Sequence, residues 1–242
     1  MEPVATDHAM RSDPGGEEAE RPVRFSILLV CMLVGLMLAP LFGESDTGYT
    51  IARIVGVLIL LAALSVVGVH RLAIVLFVPT LVVQLVAHRS NVPIVVVTSV
   101  ILRALFFAYV TGAIVWHVLR KPHITVDTIA GAACAYVLLG LVWANLYVLV
   151  ERARPGSFDI PGSFLVGRDP TPALTYFSFV TLTSVGYGDI HPNDAGAGGV
   201  CAAEAIIGQL YLAIMIARLV GIRVARTHFG RARVTRGQGG DA

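Results

Sequence analysis

The sequence predicts an all-α membrane protein: six transmembrane helices, with a short re-entrant helix and a loop between the fifth and the sixth. Three observations predict it. The 242 residues are 56% hydrophobic and only 14% charged, with a mean hydropathy of +0.77, a composition suited to a bilayer rather than to water. Apolar runs of spanning length recur along the chain, separated by short segments of Pro, Gly or charge. Before the last run lies an apolar helix pattern too short to span, which ends in Gly186-Tyr187-Gly188. The formal charge of +2 is too small to imply a nucleic-acid partner, and the basic residues gather in tails and loops, not in a continuous patch.

Taken in order, residues 1–24 mix Pro, Gly and acidic side chains without apolar periodicity and are expected to be a disordered cytoplasmic tail. Phe25 to Leu41 form the first span. The acidic tail before it is the opposite of a secretory n-region, so a retained helix is expected. Glu44 and Asp46 mark a loop, Tyr49 to Val69 the second span, and His70-Arg71 a connection so short that Leu72 to Ala87 must turn back as the third. Pro79 falls inside that helix and is expected to kink it. Arg89 to Pro93 make the next loop, and Pro93 suits the start of a fourth span running to about Val118. Arg120, Lys121 and His123 precede the fifth span, Val126 to Val150. Glu151 to Pro170, rich in Pro, Gly and charge, read as an external loop. The sixth span is expected over Gly196 to Ile222, followed by a basic cytoplasmic tail, residues 223–242. Lys and Arg counts favour both termini inside: Arg11, Arg21, Arg24, Arg71, Arg120, Lys121 and the tail arginines Arg223, Arg226, Arg231, Arg233 and Arg236 fall on one side, Arg89, Arg152, Arg154 and Arg168 on the other. Cys31, Cys134 and Cys201 lie in apolar runs without metal or disulfide spacing and are expected to be buried and inert.

The segment from Thr171 to Asp189 organises the rest. Thr171 is placed as the cap of a helix with Pro172 in its first turn, and Ala173 to Thr183 follow without a breaker. At 1.5 Å per residue this helix is about 18 Å long, a length tolerated at membrane depth only inside protein or beside water. Its C-terminal end carries partial negative charge. In the loop that follows, successive carbonyls point one way only if alternate residues reach dihedral angles that glycine adopts without strain, and Gly186 and Gly188 sit at that spacing. Val185 and Tyr187 are expected to turn their side chains backwards and wedge the loop against its surroundings. A single Gly-Tyr-Gly is weak evidence, since a chance turn or a phosphate loop can carry it.

The wider stretch decides the matter. Tyr176-Phe177-Ser178 through Gly186-Tyr187-Gly188-Asp189, with Pro192 beyond, resembles the pore loop of tetrameric potassium channels. Ile124 to Gly131, Tyr136 to Gly140, Trp143 to Tyr147 and Pro155 to Phe158 resemble the outer helix and turret of bacterial channels of the two-helix-pore superfamily, and Glu204 to Gly221 their inner helix. The resemblance covers residues 124–222. It implies a pore domain over residues 120–222 beside a four-helix domain over 25–119, in a bacterial inner (plasma) membrane. It also implies K+ as the permeant ion, with no other cofactor. The coordinating groups would be the Ser184 hydroxyl and the carbonyls of Ser184, Val185, Gly186 and Tyr187, followed by Gly188 and supported by Thr183, Asp189, Tyr176 and Phe177. The family usually has Thr where this chain has Ser184, so the hydroxyl is kept and a methyl lost.

One such loop cannot enclose an ion, and no second Gly-Tyr-Gly occurs, so a homotetramer with a central pore is expected. The expected function is passive potassium-selective conduction; the alternatives are a less selective cation channel and a pore-like membrane subunit that needs a partner. No nucleophile, base and orienting group converge, so no enzyme is expected. A steep voltage sensor needs several charges in the field, each worth about 2.3 kcal/mol per 100 mV, and the fourth span contains Arg103 alone. Two readings stay open for Arg103, a sensing role or a bond to a neighbouring helix. Gly208 is either the bending hinge that resemblance implies or a site of close packing. Glu204 is either a carboxyl bonded behind the loop or a structural acid. His191 is either a pH-sensitive group at the mouth or a solvated residue. Gln84 and Asn145 are expected to hydrogen-bond between helices.

Overall fold

A computed structural model of the chain describes residues 24–41, 56–64, 71–89, 92–120, 125–165 and 169–237. The expectations for the tail before Arg24, for Glu44 and Asp46, for both ends of the second span with His70, for Lys121 and His123, and for Arg168 fall outside these residues.

The described residues form the helices α1 (Arg24–Leu41), α2 (56–64), α3 (Arg71–Arg89), α4 (Pro93–Arg120), α5 (Val126–Ala153), α6 (Thr171–Leu182) and α7 (Ala195–Gly237). Two short strands, β1 (Phe158–Asp159) and β2 (His191–Pro192), pair antiparallel, Phe158 opposite Pro192 and Asp159 opposite His191. Among the described residues, three helices are long and apolar enough to cross a membrane: α4, α5 and Ala195–Arg218 of α7. Shorter apolar stretches, Phe25–Met37 and Leu72–Ala87, fill most of α1 and α3.

Local chemistry explains the helix ends. At α4, Pro93 takes the first helical position, where its missing N–H is an orphan in any case, and the Val95 and Val96 amides close on the Val92 carbonyl. At α5, Thr125 and Thr128 form a reciprocal capping box. α3 continues through Pro79, and the Thr80 hydroxyl next to it donates to the Leu76 carbonyl at 2.6 Å. α7 starts on Asp194, whose Oδ1 accepts the Ala197 amide at 2.9 Å. That amide is the main cause holding the Asp194 carboxyl below its ordinary range.

The sixth span lies over Ala195–Arg218, and α7 continues beyond it as helix to Gly237, into the basic tail. Two expectations need correction. Thr171 does not cap α6. It is the first helical residue, and Asp169 Oδ1 takes both its amide, at 3.2 Å, and its hydroxyl, at 2.7 Å. The side chain that satisfies an orphan N–H at this helix start thus comes from two residues upstream. Of the cysteines only Cys134 is buried; Cys201 is half-buried and Cys31 lies exposed on α1, because an apolar run in a membrane helix does not distinguish a protein-facing side from a lipid-facing one.

α5 is the hub, touching α1, α4, α6 and α7. Two apolar cores meet along it. One joins α1 to α4 with the first half of α5, around Leu28, Leu60, Phe106, Ile114 and Leu138. The other joins the second half of α5 with α6 and the start of α7, around Tyr147, Leu174, Leu182 and Ile190.

Candidate functional site

The second core carries the loop from Thr183 to Asp189 on the end of α6. The amides of Val185 and Gly186 both turn back to the Val180 carbonyl, at 2.9 and 3.3 Å, and the Ser184 amide reaches Thr181 at 3.0 Å. In a planar trans peptide the carbonyl before an amide points opposite to it. The carbonyls of Ser184 and Val185 are therefore directed away from the helix end. Positive φ angles fall at alternate positions, +59° at Ser184, +56° at Gly186 and +77° at Gly188. Nothing lies within 4 Å of a Cβ built on either glycine, so backbone conformation and not crowding calls for glycine there.

Val185 and Tyr187 were expected to wedge against surrounding protein. Within one chain they do not: they are 51% and 71% exposed. The flanking residues are anchored. Thr183 folds its hydroxyl back to the Phe179 carbonyl at 2.7 Å. Tyr176 donates to Asp189 Oδ2 at 2.6 Å, Asp189 Oδ1 accepts the Ile190 amide at 3.0 Å, and the Tyr176 ring stacks on Phe164. Phe177 is buried among the rings of Tyr147 and Phe158.

Beneath the loop, Glu204 of α7 is fully buried. Its carboxylate accepts Ser178 Oγ of α6 at 2.6 Å and the Tyr147 hydroxyl of α5, and the Ser178 hydroxyl also lies 2.8 Å from the Gly140 carbonyl. This bond to the helix behind the loop is the first of the two arrangements open for Glu204. Tyr136 of α5 donates to the Leu182 carbonyl at 3.0 Å. A Cβ on Gly208 would lie 2.7 Å from Leu182 Cδ1 and 2.9 Å from the Leu182 carbonyl oxygen. Close packing at Gly208 thus has a definite contact, and α7 is continuous through it.

Other singled-out residues fall further away. Arg103 Nε donates to Asn145 Oδ1 at 2.6 Å, joining α4 to α5, which is the bond between helices expected of Asn145; Arg103 faces the neighbouring helix, and its partner there is a side-chain amide. Gln84 Oε1 and Trp143 Nε1 are buried without a hydrogen-bond partner among the described residues. His191 is exposed, with Nε2 3.7 Å from Asp159 Oδ2 across the strand pair. The sequence reading missed Gln209, whose Nε2 donates to Ser184 Oγ at 2.7 Å, and the hydroxyls of Tyr136, Tyr147 and Ser178. Their positions on helices are legible, but their partners lie 25 to 57 residues away.

Residues 137–224, from mid-α5 through the loop and into α7, match a family model described as an ion channel. The match covers 88 of the 242 residues, and this segment is similar to ion-channel domains. No curated protein and no solved structure matches the chain. The matched segment contains the re-entrant helix, the loop and most of the second core, which also takes in Val100 of α4. With α4 and the apolar helices before it, the matched segment is part of a multi-pass membrane protein.

Proposed function

We propose that the protein is a potassium-selective channel, a homotetramer in which four copies of residues 184–188 surround one ion path. The observation that carries this reading is the alternation of positive φ at Ser184, Gly186 and Gly188, together with the Val185 and Gly186 amides turned back on α6. Stacked carbonyls replace the water that K+ sheds on entering. Val185, Gly186 and Tyr187 supply them, and Ser184 supplies a carbonyl and a hydroxyl. The uncovered Val185 and Tyr187, and an α7 span only 17% buried within one chain against 50% for α5, support neighbouring copies as the missing walls. In this reading six spans cross the plasma membrane, both termini are cytoplasmic and the loop lies at the outer mouth.

A second reading, conduction less selective among cations, is favoured by Ser184, a non-glycine residue at φ +59° without a β-branch. Flux of K+ and Na+ into liposomes containing the purified full chain separates the two. K+ flux far above Na+ flux is expected. Comparable fluxes support the second reading. A tetramer that passes neither ion contradicts both and supports a subunit that needs a partner.

A further inference from the structure

We propose that Gln209 is a positioning residue for the innermost ion site, holding the Ser184 hydroxyl in its ion-facing rotamer from the inner helix. The proposal rests on reading residues 184–188 as the conducting loop. Ser184 is the one non-glycine residue with positive φ among the described residues. It is exposed within the chain, and having no β-branch it has no intrinsic restriction to one χ1 well. Left alone, its hydroxyl would exchange among rotamers and present an ill-defined oxygen to an ion.

The bond from Gln209 Nε2 to Ser184 Oγ, 2.7 Å long, removes that freedom. It depends on how closely α7 approaches α6. Gly208 lets the inner helix rest against Leu182, where any side chain would meet the Leu182 carbonyl, and Tyr136 holds that same carbonyl from α5. The next residue of α7 is then within reach of the loop. Two consecutive inner-helix positions, 208 and 209, thus meet Leu182 and Ser184.

The chemistry of the donor suits the task. A serine hydroxyl has one hydrogen and two acceptor lone pairs. An amide N–H occupies one lone pair and leaves the other for a cation, without adding charge. A carboxylate there would accept from the hydroxyl instead, and an ammonium would repel the ion. Gln209 therefore restricts Ser184 much as a β-branch would restrict a threonine.

The test is the K+ to Na+ permeability ratio, from bi-ionic reversal potentials of the full chain in planar bilayers. Gln209→Leu is expected to lower the ratio roughly tenfold, the worth of one hydrogen bond. Gln209→Met, unbranched and without a donor, should do the same and provides a second variant should the first not assemble. Adding Ser184→Thr to either should restore the ratio. Adding Ser184→Ala should make the Gln209 substitution silent, because the two residues act through one bond. A Gln209 variant that conducts with the wild-type ratio, or that lowers it equally in the Ser184→Ala background, overturns the proposal. A wild type that does not discriminate K+ from Na+ overturns the potassium-selective reading, and this inference with it. A selective wild type indifferent to Gln209 overturns this inference alone.

Discussion

The two halves of the molecule are joined internally by different forces. Among the described residues of α1 to α4 the shared surfaces are mainly apolar, as where Phe77 meets Phe106 and Leu28 and Leu60 are buried, with a long bond from the Thr80 hydroxyl of α3 to the Leu102 carbonyl of α4 at 3.4 Å; further polar links run to α5, through Arg103 and Asn145 or from the Phe25 amide to Asp127 at 3.2 Å. Between α5, α6 and α7 the apolar core is crossed by hydrogen bonds: Tyr136 to Leu182, Tyr147 and Ser178 to Glu204, Tyr211 to the Ala132 carbonyl. Apolar seams tolerate changes of shape when volume is kept. Directional bonds in a low-dielectric interior do not, since each lost partner strands a buried polar group. The first half is thus built to be held in a membrane, the second to hold a backbone loop in one conformation. At the far end of α7, Arg218 donates to the Val118 carbonyl at 2.5 Å and to the Leu119 carbonyl, tying the inner helix to the last turn of α4.

The comparison can be broken at its strongest point first. Glu204→Ala strands the Tyr147 hydroxyl and opens a cavity where three helices meet. It should lower stability by about 3 kcal/mol per chain, read as an earlier thermal loss of the assembled protein in detergent and a loss of flux. A variant as stable and active as wild type would show that the network does not hold the loop. Gly208→Ala places a methyl against the Leu182 carbonyl and should cost about 1–3 kcal/mol. Because the strain falls at the base of the loop, K+ flux should fall further than assembly, as gel filtration against liposome flux would reveal. The smallest effect belongs to the seam between the halves. Arg103→Gln should cost about 1 kcal/mol, one hydrogen bond, and leave the slope of current against voltage unchanged. A flattened slope would instead make Arg103 a sensing charge.

What the sequence disclosed follows the same division. Spans over α4, α5 and α7 are legible because hydropathy and proline starts are local properties. The loop is legible because positive φ at alternate positions favours glycine, and Gly186 and Gly188 show that spacing in the sequence, whereas the same angle at Ser184 is not announced by its residue type. The bonds that hold the loop are not. Glu204 stands out as an acid in an apolar helix, but its partners come from two other helices, and Gln209 looks like any polar residue at a helix face until α7 is laid against Leu182. Asp169 escaped notice because Thr171 is the more familiar cap, and only the backbone path through Pro170 brings the carboxylate onto the Thr171 amide. Burial of Cys31 was misjudged for lack of any signal separating lipid from protein as its neighbour.

The central claim is that the backbone of residues 184–188 selects the ion, and chirality at Gly186 tests it most directly. An L-residue at φ +56° is strained by roughly 1–2 kcal/mol, repeated in every copy, whereas a D-residue adopts that angle freely. Semisynthetic protein with L-alanine or D-alanine in place of Gly186 should be compared with wild type for K+ against Na+ flux in liposomes. The account predicts that L-alanine abolishes selective K+ flux and D-alanine retains it. Equal loss with both, or selective flux with both, would contradict a mechanism that resides in this backbone conformation.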